Sequence, residues 1–286
     1  MNFIERLNEY QKETNSLLCV GLDSDLSQIP RSVEKDSKGV FHSIYNFNQK
    51  IISETLLFVC AYKINIAFYE AQWLEGFFAL SNTIAFIREK APNVPIILDA
   101  KRADIGHTNE QYAKMAFEIL GSDAVTVNPY FGGESLEPFL RRSDKGIIVL
   151  CRTSNPGAQE IQGLGSPFGC NIRPLYEEVA WRVANSWNRN NNCLLVVGAT
   201  YPSELKKVRQ IVGEEMPILV PGIGAQKGNL EETLRFGLNG DGLGLIINSS
   251  RDIIFASKEK EFAKVAGEKA RELRDKINSI RNNIKR

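Results

Sequence analysis

Ile96-Ile97-Leu98-Asp99-Ala100-Lys101-Arg102-Ala103-Asp104-Ile105-Gly106 is a short apolar run that stops on a carboxylate and an ammonium two residues apart and meets a second carboxylate at once. Side chains alternate faces along a strand, so Asp99 and Lys101 share a side. Charge concentrated at the end of such a strand needs partners or a ligand to offset its desolvation. A structural ion pair would meet that need, and so would a catalytic site. What surrounds the stretch decides the fold. It forms one of eight β-rich runs, at 17–23, 58–65, 95–101, 124–128, 146–151, 193–199, 217–222 and 242–248. Helix-length segments separate them, with apolar residues three and four apart, as in Ile44, Phe47, Ile51 and Ile52 or in Leu205, Val208, Ile211 and Val212. Near-continuous apolar strands suit parallel pairing with both faces covered. Eight alternating units without a break in composition predict an α/β protein, a closed (β/α)8 TIM-type barrel forming a single domain over residues 1–286.

Both ends of the chain read as helices lying on that barrel. Phe3, Ile4, Leu7 and Tyr10 predict a short N-terminal amphipathic helix. From Lys258 onward Phe262, Val265, Ala266, Leu273, Ile277, Ile280 and Ile284 recur at helical spacing among interspersed acidic and basic residues. The connection at 152–171, with Pro156, Gly157, Gly163, Gly165, Pro167 and Gly169, is long enough for a lid or a binding loop. A second long connection spans 24–38.

Composition narrows the function classes. The chain is 43% hydrophobic and 24% charged with a formal net charge of +1, so a core is available and no basic field recruits nucleic acid. Cys19, Cys60, Cys151, Cys170 and Cys193 are scattered without a CxxC pair and read as reduced core or near-core thiols of a cytoplasmic protein. No secretion signal is visible, and no apolar stretch approaches the roughly 18 residues of a membrane span. With only His42 and His107 present there is no zinc constellation, although metal held by oxygen ligands stays open.

Active sites of such barrels lie at the C-terminal ends of the strands. The first run ends on Asp23, the second carries Lys63 and Asn65, the third Asp99 and Lys101, the fourth Asn128, and the fifth leads into Thr153 and Ser154. After the seventh comes Pro221-Gly222-Ile223-Gly224-Ala225-Gln226, and after the eighth Asn248-Ser249-Ser250-Arg251. Loops at these two places commonly cradle phosphate, where backbone N–H groups and an arginine fork match its oxygens.

The stretch 98–108 closely resembles the signature of orotidine 5′-phosphate decarboxylase in its longer, type 2 branch. Ala61-Tyr62-Lys63-Ile64-Asn65 with Phe68-Tyr69-Glu70, Thr153-Ser154-Asn155-Pro156-Gly157-Ala158, the 221–226 loop and Asn248-Ser249-Ser250-Arg251 resemble further motifs of that branch, in order, from Leu18 to about Ile254. The resemblance implies that Lys63, Asp99, Lys101 and Asp104 form an alternating charge network. It also implies a homodimer with shared sites, Asp104 and Thr108 being supplied by the neighbouring subunit. Asp23 and Lys63 would hold ribose hydroxyls, Ser154 the pyrimidine edge, Gln226 and Arg251 the phosphate, and Pro221 would sit against the base. Ala103 stands where glycine is common in the branch, and the two long connections align poorly.

The chemistry fits those residue types. Loss of CO₂ from C6 of orotidine 5′-phosphate leaves an in-plane carbanion that the π-system cannot delocalise, so a fixed charge must stand beside that carbon. Lys101 is suited to be that charge and to protonate C6, with Asp99 and Asp104 keeping it ionised and oriented. No metal, flavin or pyridoxal phosphate is required. Three alternatives keep the fold. A magnesium-dependent sugar-phosphate decarboxylase or aldolase would use an Asp-x-Lys-x-x-Asp pattern to hold an enediolate. A Schiff-base lysine at 63 or 101 would need a depressed pKa, against the pull of its acidic neighbours. A non-catalytic phosphate-binding barrel would not need every strand end polar.

Overall fold

The computed structural model describes residues 1–35, 37–168, 171–224 and 228–284. Its strands are β1 (Leu18–Gly21), β2 (Ala61–Asn65), β3 (Ile96–Arg102), β4 (Ala124–Val127), β5 (Gly146–Arg152), β6 (Gly165–Phe168), β7 (Asn171–Pro174), β8 (Cys193–Val197), β9 (Ile218–Val220) and β10 (Leu245–Ser249). Eight of them close a barrel in the order β1-β2-β3-β4-β5-β8-β9-β10, with every neighbouring pair parallel and β10 returning to β1. These eight fall on the eight apolar runs. The remaining two form an antiparallel hairpin where the sequence suggests only a loop; together with the helix Ala158–Gln162 it structures the long connection after β5. The 24–38 connection carries a turn at Leu26–Gln28, capped by the Asp25 side chain, and the short helix Arg31–Lys35.

Alternation along each strand sorts side chains into two cores. Outward residues such as Val20, Tyr62, Ile64, Leu98, Val125 and Val149 pack beneath the helices. Inward residues, among them Cys19, Ala61, Ile97, Ala124, Ile148, Leu194, Leu219 and Ile246, form a separate cluster that also contains Phe3, Ile4 and Leu7. Both faces are therefore apolar, as parallel strands require.

The N-terminal helix Phe3–Glu13 begins with a capping box in which the Asn2 side chain accepts the Glu5 N–H and the Glu5 carboxylate accepts the Asn2 N–H. It lies across the lower end of the barrel, where Phe3 and Leu7 are fully buried. A glycine opens β5 for this reason, since a Cβ on Gly146 would lie 2.4 Å from the Phe3 ring. At the other end of the chain the helix Phe262–Ile284 buries Phe262, Ala266, Ala270 and Ile277. Cys19, Cys60, Cys151 and Cys193 are buried free thiols, as expected, while Cys170 lies outside the described residues.

Candidate active site

Two residues above the apolar inward layer, the same inward phase turns polar. Lys63 lies in phase with Ala61, Asp99 with Ile97, Thr126 with Ala124 and Asn248 with Ile246, and all four polar residues line one cavity at the C-terminal mouth. Parallel register places Asn65 beside Asp99 and Lys63 beside Ile97, so residues from adjacent strands converge without any long side-chain excursion. The cavity holds ≈ 390 Å³, within the range of small-molecule sites.

Asp99 is the hub. Its Oδ2 accepts from Lys63 Nζ at 3.1 Å, and its Oδ1 accepts from Lys101 Nζ at 2.6 Å and from Thr126 Oγ1 at 2.8 Å. Lys63 also donates to Asp23 Oδ1 at 3.2 Å. Thr126 in turn accepts the Lys101 backbone N–H at 2.9 Å, which ties the backbone of Lys101 to the carboxylate its own side chain meets. The Lys63 side chain is 5% exposed and that of Asp99 10%, whereas the Lys101 side chain is 48% exposed toward the opening. One ammonium is thus part of the wall and the other is presented to whatever occupies the cavity.

Lys101 also departs from regular strand geometry. Its φ is +48°, in the left-handed region that non-glycine residues seldom occupy, and the pairing of β3 with β4 shifts register between Leu98 and Arg102. Strain of this kind persists where the surroundings over-determine it, and it collects at functional sites. The Thr126 hydroxyl and the Asp99 carboxylate supply that constraint.

Burial opposes ionisation of Asp99, but Lys63 and Lys101 outweigh it and hold the carboxyl well below the usual range. Burial likewise disfavours the Lys63 ammonium, but Asp99 and Asp23 outweigh it and hold that group above the ordinary lysine value. The depressed carboxyl adds stability that is complete above the ordinary carboxylate pKa and is lost as pH falls toward the folded value. The raised ammonium adds stability that is complete below the ordinary lysine pKa and is lost as pH rises through its folded value. Thermal midpoints measured from pH 7 down to 2 are expected to fall for the wild-type protein and to fall less steeply for Asp99→Asn. Parallel curves would mean that the carboxylate is not what couples folding to acid.

The loops complete the rim. Thr153, Ser154, Pro221 and Arg251 line the same cavity as Asp23, Lys63, Asp99 and Lys101. Gln162 brackets Thr153, accepting its N–H at 2.9 Å and donating to its Oγ1 at 2.8 Å. Ser154 packs against bare backbone, for a Cβ on Gly198 would come within 2.7–2.9 Å of Ser154 Cβ, Cα and N. Gly224 has φ +103°, in the region that favours glycine, and a Cβ there would lie 2.0 Å from Asp252 Oδ2, so glycine lets the loop after β9 lie close against Asp252.

Not every expected residue joins the cavity. Asp104 and Thr108 do not line it within one chain. Asp104 instead accepts the Ile105 N–H at 2.7 Å on its carboxylate and the Asn109 side-chain amide at 2.6 Å on its carbonyl, at the entrance to the helix Gly106–Lys114 that holds Thr108. Gln226 lies outside the described residues. Asn128, expected among the strand-end polar groups, serves the local backbone instead. Its side chain accepts the Tyr130 N–H at 3.0 Å and caps the turn Pro129–Phe131. Thr126 takes its place. The signal for it is the one hydroxyl in Ala-Val-Thr-Val, in inward phase and near the strand's C-terminal end.

The comparisons with known proteins agree with this geometry. The pattern of the orotidine 5′-phosphate decarboxylase / HUMPS family matches residues 16–266. An orotidine 5′-phosphate decarboxylase of Ralstonia nicotianae is 47% identical over 282 residues, covering 99% of this chain and 100% of its own. One of Dechloromonas aromatica is 48% identical over 281 residues, covering 98% and 100%. Among solved structures, Leishmania donovani OMP decarboxylase superposes with a TM-score of 0.82 at 40% identity, covering 99% of each chain. Leishmania donovani UMP synthase superposes with a TM-score of 0.84 at 40% identity over 98% of this chain, which spans 57% of that longer protein. By the extent of these matches, the chain belongs to the orotidine 5′-phosphate decarboxylase / HUMPS family.

Proposed function

We infer that the chain decarboxylates orotidine 5′-phosphate to UMP in pyrimidine biosynthesis, as its family membership and its full-length relatives indicate. The observation that carries the mechanistic reading is the Lys101 ammonium, half exposed at the cavity mouth and pinned by Asp99 at 2.6 Å. When the C6–carboxylate bond breaks, its electron pair stays on C6 and CO₂ departs. The ammonium beside that carbon stabilises the developing charge, then gives C6 a proton, and is itself reprotonated from solvent. Asp99 aims the ammonium, and Lys63 keeps Asp99 ionised. Asp23 and Lys63 face the ribose hydroxyls, Ser154 the pyrimidine edge, Pro221 the flat of the base, and Arg251 with Gln226 the phosphate. Binding of phosphate and ribose, remote from C6, contributes to the rate by holding the ring in place and closing the loops over it.

The working unit is a homodimer in which the partner subunit's Asp104 and the partner subunit's Thr108 complete each site. Two observations support this. Asp104 and Thr108 stand outside the cavity of their own chain. The segments following the adjacent strands β2, β3 and β4, the last two of which flank Asp104 and Thr108, expose Trp73, Leu74, Phe78, Ile105, Tyr130 and Phe131, large apolar side chains that a second copy would cover. Buried free thiols suit the reducing cytoplasm as the place of work.

The magnesium-dependent alternative is not favoured by the family match. Purified protein treated with a chelator is expected to convert orotidine 5′-phosphate to UMP at an undiminished rate, followed by the loss of substrate absorbance. Complete loss of turnover on chelation would move the chain to the enediolate chemistries, and absence of UMP from untreated enzyme would remove the assignment altogether.

A further inference from the structure

At the end of β5 a buried cation plays no part in the chemistry above. Arg152 is 1% exposed, and its guanidinium lies 3.7 Å from the centre of the Tyr201 ring. Nη2 donates to Gln159 Oε1 at 3.2 Å and stands 3.8 Å from Glu204 Oε1, while Nε and Nη1 have no hydrogen-bond partner among the described residues. A desolvated guanidinium with idle donors is costly. What the molecule gains from it is a junction. Three elements meet on this one side chain: the end of β5, the helix Ala158–Gln162 through Gln159, and the start of the helix Pro202–Val212 through Tyr201 and Glu204.

The three residues that follow Arg152 line the cavity, and the same walls grip them. The Arg152 carbonyl accepts the Gly198 N–H at 2.7 Å. Thr200 Oγ1 donates to the Ser154 carbonyl at 3.4 Å, and Tyr201 Oη to the Asn155 carbonyl at 3.5 Å. These last two contacts are long; the short ones run through Gln162, which brackets Thr153 at 2.9 and 2.8 Å from the same helix Ala158–Gln162 that Arg152 reaches through Gln159, so the placing of that helix and of the Tyr201 wall sets the segment. A planar, forked cation can stack on Tyr201 and reach Gln159 at once. Lysine has neither the plane nor the fork.

We propose that Arg152 is a positioning residue for base recognition: without touching the substrate, it fixes the 153–155 segment so that Ser154 meets the pyrimidine. This rests on the assignment of Ser154 to the pyrimidine edge. Shifts of about an ångström in a recognition group can cost on the order of a hundredfold in rate, and one mis-set hydrogen bond costs about tenfold in affinity.

The test compares binding of UMP with binding of ribose 5-phosphate, which lacks the base, to the full-length protein. Arg152→Met is expected to weaken UMP binding about tenfold or more while ribose 5-phosphate binds as before, and Arg152→Lys is expected not to restore the difference. Equal weakening of both ligands, or no change in either, would overturn the inference, because a merely structural role cannot tell them apart. Gln159→Ala severs one arm of the junction at an exposed position, and a smaller loss confined to UMP is expected. If Arg152→Met does not fold, this variant decides the matter, and an unchanged ligand ratio in it refutes the proposal. Ser154→Ala run in parallel separates the two claims. An unchanged ratio there discards the pyrimidine contact of Ser154, while the ratio for Arg152→Met still reads the arginine on its own.

Discussion

Lys101→Ala is expected to lower kcat/KM for orotidine 5′-phosphate by about 10⁴-fold or more, while UMP binds within about tenfold of the wild-type affinity. Two contributions add in free energy here. A single preorganised electrostatic donor is worth about 10²–10³ in rate, a positioned proton donor about 10²–10⁴, and the proposed mechanism gives Lys101 both roles at one atom. Because one side chain supplies both, the losses arrive together and do not partition between binding and chemistry. Lys101→Arg is not expected to rescue turnover, since a guanidinium keeps its proton and cannot deliver it to C6. Steady-state kinetics beside an isothermal titration with UMP provide the check. Turnover within tenfold of wild type in Lys101→Ala would take the ammonium out of the reaction.

Mixing two dead proteins should return a live one. Lys101→Ala and Asp104→Ala are each expected to be nearly inactive alone, yet chains co-expressed in equal amounts should recover about one quarter of the wild-type activity. Half of the dimers then carry one chain of each kind, and in each of these one of the two sites combines an intact Lys101 with an intact Asp104. The other site collects both defects. If each chain completed its own site, no mixed dimer would contain a sound one and the mixture would stay inactive. The experiment therefore tests the dimer and the crossing of Asp104 in a single measurement.

The barrel was legible because parallel strands covered on both faces leave little choice of residue. Ile96-Ile97-Leu98, Ile147-Ile148-Val149 and Leu194-Leu195-Val196 could be nothing but buried strands once helical periodicity was seen between them. Lys63 and Asp99 stood out for the converse reason, being charges in a phase that is otherwise apolar. Thr126 did not stand out, since a β-branched residue is at home in a strand and its hydroxyl attracts no notice. Asn128 misled for a related reason: a polar residue at a strand end serves a turn as readily as a ligand. The hairpin β6–β7 was hidden by its glycines and prolines, which read as irregular loop. The left-handed backbone of Lys101 carried no local signal at all, because no glycine marks it. What holds it is tertiary: the Thr126 hydroxyl on the neighbouring strand accepts the Lys101 N–H, and Asp99 meets the Lys101 ammonium.

Among the described residues, the helix Phe3–Glu13 closes one end of the barrel and turns it into a flask. Phenylalanine, isoleucine and leucine from its first two turns stopper the base, and the inward apolar layer fills the space above them. On the proposed mechanism the nucleotide, the proton that recharges Lys101 and the departing gas then share the mouth at the opposite end, where the cavity lies. On that mechanism carbon dioxide leaves past the nucleotide that shed it, so the rim segments proposed to grip base and phosphate would also govern how fast the vessel empties between turnovers.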